Sequence, residues 1–157
     1  MTGRQMISVN RKVIIGLSAG ALFGVMNLAG CADSDREARR RAAGTNPSHR
    51  ALMSVADANA SRAAFGACAA CHTIRRNGGD RNGPNLFGVM GAPVAGNSAR
   101  FAYTAALRQV GGRWTPERMD RWFADPQAFA PGTSMRFVGV RDPLERADII
   151  AYLAQQR

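Results

Sequence analysis

Cys68-Ala69-Ala70-Cys71-His72 decides how this chain is read. Two thiols separated by two residues lie one short turn apart, close enough to add to the two vinyl groups of one porphyrin. The histidine that follows presents its imidazole to the iron from one face. That spacing is the signature of covalent haem attachment. A bare Cys-x-x-Cys also serves as a thioredoxin-type redox pair or as half a zinc site. The redox pair needs a surrounding β-α-β pattern, which the flanking sequence lacks. Zinc needs two further ligands, and among cysteines and histidines only Cys31 and His49 remain.

A second axial ligand to the iron must come from elsewhere. Downstream of residue 30 the thioethers are Met53, Met90, Met119 and Met135, with His49 as the remaining imidazole. Met135 ends the turn-forming run Phe129-Ala130-Pro131-Gly132-Thr133-Ser134, which can carry one side chain up to a flat cofactor. Met119 falls in a helix-like run, and Met90 lies in a glycine-rich loop. His49 reads as a surface histidine. Spacing favours Met135 without excluding the others.

Outward from this centre the N-terminus has its own logic. Residues 1–12 are polar and basic, 13–26 are apolar without charge, and Leu28-Ala29-Gly30-Cys31 follows. A basic start, a short apolar core and small residues before a cut describe a secretory signal. The apolar stretch is too short and too rich in glycine and alanine for a lasting membrane span. Leu28-Ala29-Gly30-Cys31 also resembles the lipobox of bacterial lipoproteins. That resemblance implies a diacylated Cys31 at a new N-terminus, which explains the odd third cysteine.

The expected organisation is therefore a signal peptide over 1–30, an acylated N-terminus and flexible tether over 31–56, and a haem domain over 57–157. The tether reading rests on charged, turn-rich composition without sustained apolar period. Some 25 flexible residues would span roughly 25–30 Å root-mean-square.

The chain has 157 residues with 21 basic and 11 acidic side chains. Three of the basic residues and none of the acids precede residue 31, leaving 18 against 11, and every one of those 18 is arginine. The excess suits docking against acidic faces of a partner. Nucleic acid is a poor fit. The arginines are scattered, and no helix-turn-helix, finger or aromatic RNA-binding pattern accompanies them.

From Cys68 to the end the chain resembles the class I cytochromes c of the mitochondrial and c2 type. The matching residues run in order: Cys68-Ala69-Ala70-Cys71-His72-Thr73, Gly83-Pro84-Asn85-Leu86-Phe87-Gly88, Phe101-Ala102-Tyr103-Thr104, Trp114, Asp125-Pro126, Pro131-Gly132-Thr133-Ser134-Met135, Phe137, and the stretch from Glu145 to Leu153. The resemblance implies an all-α cytochrome c fold, one covalent haem c on Cys68 and Cys71, and His72 and Met135 as axial ligands. It implies further that the Pro84 carbonyl accepts the second N–H of His72. Tyr103 and Trp114 would hydrogen-bond a haem propionate, Thr133 would brace the Met135 side, and Phe137 would flank the haem edge. Trp122 stands where relatives carry a tyrosine, so its indole N–H either replaces that hydroxyl or leaves the sulfur contact unmade. Ala92-Pro93 replaces a propionate-binding arginine, with Arg100 as the stand-in. Phe65 lies one residue closer to Cys68 than in the family, which leaves the register of the first helix open.

Local signals fit an all-helical domain. Residues 55–67 are alanine-rich and read as a helix leading into Cys68. Thr115-Pro116 opens a short helix to Phe123. Asp142-Pro143-Leu144-Glu145 reads as a capping box opening the last helix, which runs to about Gln155. Ile149, Tyr152 and Leu153 share one face of it and would pack beside Phe65. Residues 77–97 form a long glycine-rich loop that would wrap the haem.

The implied function is outer-sphere transfer of single electrons, not catalysis. The expected route runs from a quinol-oxidising complex to a terminal oxidase or photosynthetic reaction centre, on a monomer held by Cys31 at the periplasmic face of a bacterial inner membrane. A dedicated cytochrome subunit of one dehydrogenase or oxidase is the first alternative. A haem peroxidase or sensor with a labile sixth ligand is the second.

Overall fold

Thr115 and Pro116 show how local chemistry sets the helices. The Thr115 hydroxyl accepts the Arg118 N–H at 3.3 Å, and proline at the first helical position lacks the N–H that would otherwise go unpaired. The computed structural model describes residues 29–157, with side chains described from Asp33 onward except that of Ala63. Residues 1–28 of the expected signal segment and the Cys31 side chain, with its expected acylation, lie outside the described residues. The described residues form seven helices, in order α1 (Ala29–Ala43), α2 (His49–Ser54), α3 (Ala60–Ala69), α4 (Ala105–Val110), α5 (Pro116–Ala124), α6 (Pro126–Phe129) and α7 (Pro143–Ala154). Among the described residues there is no strand, only one isolated antiparallel bridge between Pro93 and Arg113.

Helix α7 is the centre of the packing. Leu144, Ala147, Ile149, Ile150 and Leu153 are almost completely buried along it. Full burial of one such aliphatic side chain contributes about 1.5–3 kcal/mol. As its apolar spacing requires, α7 meets α3 beside Phe65, whose ring lies 5.3 Å from that of Tyr152. Asp142 caps it by accepting the Leu144 N–H at 3.0 Å. Glu145, the expected other half of a capping box, pairs with Arg36 at 3.5 Å.

Three expectations about the N-terminal half are corrected. Residues 31–56, expected as a flexible tether, hold α1 and α2 instead: α2 packs on α7, and α1 packs on α2 and reaches α7 through its arginines. Composition hid this, since the arginines that looked like solvated tether find acidic partners more than 100 residues away. The helix expected over 55–67 begins only at Ala60. The Asp57 N–H donates to Asp148 at 2.8 Å, and the Asp57 carboxylate accepts the Asn59 N–H at 2.8 Å, which bends the chain before α3. His49 is half-buried with both ring nitrogens occluded from solvent, not a surface histidine.

The glycine-rich loop is tied down by amide side chains. Asn97 donates to the Asn85 carbonyl at 2.6 Å and the Phe87 carbonyl at 3.3 Å. Asn85 in turn donates to the Arg75 carbonyl at 3.0 Å. A long segment without regular structure is thereby held against the domain.

Candidate cofactor site

The end of α3 sets the two thiols. The chain turns tightly there, with the Cys71 and His72 N–H groups both donating to the Cys68 carbonyl at 3.1 and 2.9 Å. The two thiols are not joined to each other. Burial pushes the Cys68 thiol up from its usual value, and the neighbouring Cys71 adds to the effect.

His72 is fixed by two neighbours. Its Nδ1 lies 2.8 Å from the Pro84 carbonyl, which can only accept, so Nδ1 carries the proton and Nε2 keeps a free lone pair. Burial lowers the imidazole's proton affinity and outweighs the opposing Pro84 bond, so the ring is held neutral as a metal ligand requires. Gly83 packs closely against the ring. A Cβ there would meet His72 Cε1 at 2.2 Å. The Gly83 N–H donates to the Cys71 carbonyl at 2.9 Å and holds this approach.

Met135 arrives on a loop built by short-range bonds. Asp125 caps α6 by accepting the Gln127 and Ala128 N–H groups, each at 3.0 Å. The Gln127 amide then donates to the Thr133 carbonyl at 3.3 Å and the Met135 carbonyl at 3.1 Å. Gly132, at φ 94°, takes a left-handed turn that suits glycine. The Thr133 hydroxyl accepts the Met135 N–H at 3.4 Å. Beyond it the Val140 N–H donates to the Phe123 carbonyl at 2.7 Å, closing the loop on α5.

One cavity of about 850 Å³ joins these parts. Cys68, Cys71, His72, Pro84, Tyr103, Trp114, Trp122, Thr133, Met135 and Phe137 all line it. Of the four candidate methionines, Met119 and Met135 line the cavity, whereas Met53 and Met90 pack against the core elsewhere. Met119 is 3% exposed within α5. His49 and Arg100 do not line it, and Arg100 lies near Asp80 instead.

The cavity wall is aromatic and aliphatic. Trp114 and Trp122 lie with ring centroids 5.7 Å apart, and Phe129 stacks on Trp114 at 5.7 Å. Among the described residues neither indole N–H donates to a protein acceptor, so both remain available to a group in the cavity. The Tyr103 hydroxyl accepts the Ser98 N–H at 3.1 Å, and burial raises its pKa, which keeps its own proton for donation.

Sequence reasoning missed Gln127 as the clamp of the Met135 loop and α4 as an element. The available signals were Asp125-Pro126 as a helix start and Thr104 as an N-cap, its hydroxyl accepting the Leu107 N–H at 3.3 Å.

The donor set fits a covalent haem. It offers two unjoined thiols, a neutral imidazole with a free Nε2, a thioether and an apolar cavity of ligand-binding size. No cluster of three or more His, Cys, Asp or Glu side chains arranged for a metal ion occurs among the described residues.

Comparison with known proteins agrees. The family model described as Cytochrome c matches residues 58–157. A cytochrome c homolog of Bradyrhizobium diazoefficiens is 39% identical over 118 residues, covering 75% of this chain and 64% of that relative, just under two thirds of its length. Cytochrome c of Chlamydomonas reinhardtii is 41% identical over 88 residues, covering 56% of this chain and 78% of that one. The solved structure of cytochrome cH from Methylobacterium extorquens is similar with a TM-score of 0.57 at 42% identity, over 62% of this chain and 97% of that one. The chain belongs to the cytochrome c family, and is thus an electron carrier with one covalent haem c, not an enzyme.

Proposed function

We propose that Cys68 and Cys71 form the two thioethers, that His72 and Met135 are the axial ligands, and that the protein carries electrons between membrane complexes while held by an acylated Cys31. The observation that carries this reading is one apolar cavity lined by both thiols, the oriented imidazole and Met135. Haem c bound there supplies a reversible one-electron iron couple, and methionine ligation raises its potential.

The residues divide the remaining work. His72, oriented by Pro84, and Met135, held by Gln127 and Thr133, would fill both axial positions and bar substrates. Trp114, Trp122, Phe123 and Leu153 exclude water. Tyr103 and Trp114 would donate to a propionate, and Phe137 would flank the cofactor edge. Arg136 and Arg141, exposed at the cavity rim, suit an acidic docking face. The proposed donor is a quinol-oxidising complex and the acceptor a terminal oxidase or reaction centre, at the periplasmic face of the inner membrane.

Purification from membranes tests each part. Mass spectrometry should find one haem and acyl chains on Cys31. The ferric protein should show a methionine-to-iron charge-transfer band in the far red that Met135→Ala abolishes. A band that persists in that variant would exclude Met135 as the ligand.

A further inference from the structure

The family match begins at residue 58, and 62% of this chain accounts for 97% of cytochrome cH. Helices α1 and α2 therefore lie outside the region the family model matches, and nothing above gives them a role. Their contacts are specific. Arg36, Arg39 and Arg40 project from successive turns of α1, while Asp142, Glu145 and Asp148 recur every three residues from the start of α7. Arg36 and Arg40 both pair with Asp142, and Arg36 also reaches Glu145 at 3.5 Å. Arg39 pairs with Asp148 at 2.7 Å, with the two side chains only 14% and 6% exposed. Arg39 donates in addition to the Val55 carbonyl at 3.3 Å, binding α1 to the end of α2. Below this ladder Leu52, Leu144 and Ala147 form a buried apolar seam.

We propose that residues 29–56 are a rigid strut latched to α7, which holds the anchor point at Cys31 in one position relative to the haem cavity. The redox partner this implies is a membrane protein complex that meets the cavity mouth in one orientation and at constant height. The latch rests on the geometry alone, and its consequence for the partner rests on the acyl anchor proposed above.

Three relations support it. Cys31 stands in the first turn of α1, five residues before Arg36, or about 7.5 Å of helix. A flexible chain over residues 31–56 would let the domain wander over roughly 25–30 Å. The gripped helix is also a cavity wall, since Ile149 and Leu153 of α7 line it. No hinge intervenes between the latch and the cofactor site. The Arg39–Asp148 pair is enclosed enough that physiological salt screens it little.

The test uses the full-length haem-loaded protein in lipid vesicles and two readouts. Hydrogen exchange should show protected α1 amides over residues 36–43. Arg36→Gln/Arg39→Gln/Arg40→Gln, confined to the extension, should speed their exchange at least about tenfold while α5 keeps its protection. Asp142→Asn, which preserves a cap for α7, should produce a smaller rise. Linear dichroism of the haem on aligned membranes should be strong in the wild type and lost in the triple variant. Unprotected α1 amides in the wild type, or exchange unchanged by the triple variant, would overturn the latch. Protected α1 without dichroism would overturn the fixed orientation. Mass spectrometry showing unmodified Cys31 would overturn the anchor reading, with exchange then deciding the latch by itself.

Discussion

Gly83 lies so close to His72 that a Cβ on it would stand 2.2 Å from Cε1 and 2.6 Å from Nδ1. The glycine is therefore part of the imidazole's seat, opposite in role to the Pro84 carbonyl that pulls Nδ1 to 2.8 Å. Gly83→Ala should displace the ring or the backbone. Overpacking at such a site costs about 1–3 kcal/mol. Urea titration of the haem-loaded variant should show a lowered midpoint, together with an altered visible spectrum. An unchanged midpoint and spectrum would show that Pro84 alone orients the ring.

The Arg39–Asp148 pair predicts a large effect from a small change. Asp148→Ala leaves Arg39 with only the exposed Asp35 and the Val55 carbonyl in place of its enclosed partner, and removes the acceptor of the Asp57 N–H. A loss of about 3–5 kcal/mol is expected. Replacing both partners with leucine should cost much less, because no uncompensated charge remains. Denaturation midpoints of the two variants make the comparison, and equal losses would contradict it.

Acid should loosen the extension through Asp142. Burial works to raise its pKa, but the Leu144 N–H and the Arg36 and Arg40 guanidinium groups outweigh this and hold it below its usual value. A depressed carboxylate stabilises the fold above its ordinary pKa of about 3.9, and that stability is lost as pH falls through the folded value. Stability measured from pH 6 downward should thus fall below about pH 4 in the wild type. Asp142→Asn should start lower and show a shallower acid limb. Parallel acid limbs would remove Asp142 from the account.

Haem attachment should decide whether the domain folds. Without the cofactor, a cavity of about 850 Å³ would leave the apolar faces of Phe65, Leu107, Trp114, Trp122 and Leu153 without their packing partner, a large loss against the about 5–15 kcal/mol total of an ordinary domain. Cys68→Ala/Cys71→Ala, produced without haem, should lack a cooperative thermal transition by circular dichroism. A sharp transition with full helix content would refute this.

Much of the site was legible because its chemistry is local. Cys68, Cys71 and His72 are adjacent, and their spacing alone dictates which porphyrin positions they can reach. Thr115-Pro116 and Asp142-Pro143 announced helix starts because capping acts within three residues. Met135 was harder. Four methionines were chemically equivalent in sequence, and only packing left Met53 and Met90 outside the cavity. Gln127 was invisible for the same reason, as an ordinary amide until the loop folds over it.

The extension shows the limit most clearly. By itself the sequence determined the haem attachment, the helical class and the charge excess, since these depend on residue type and short spacing. Only the tertiary structure decided that Arg36, Arg39 and Arg40 are a latch and not a solvated tether. An arginine's role depends on what stands opposite it, and the acids opposite these arrive from α7, more than 100 residues later in the chain.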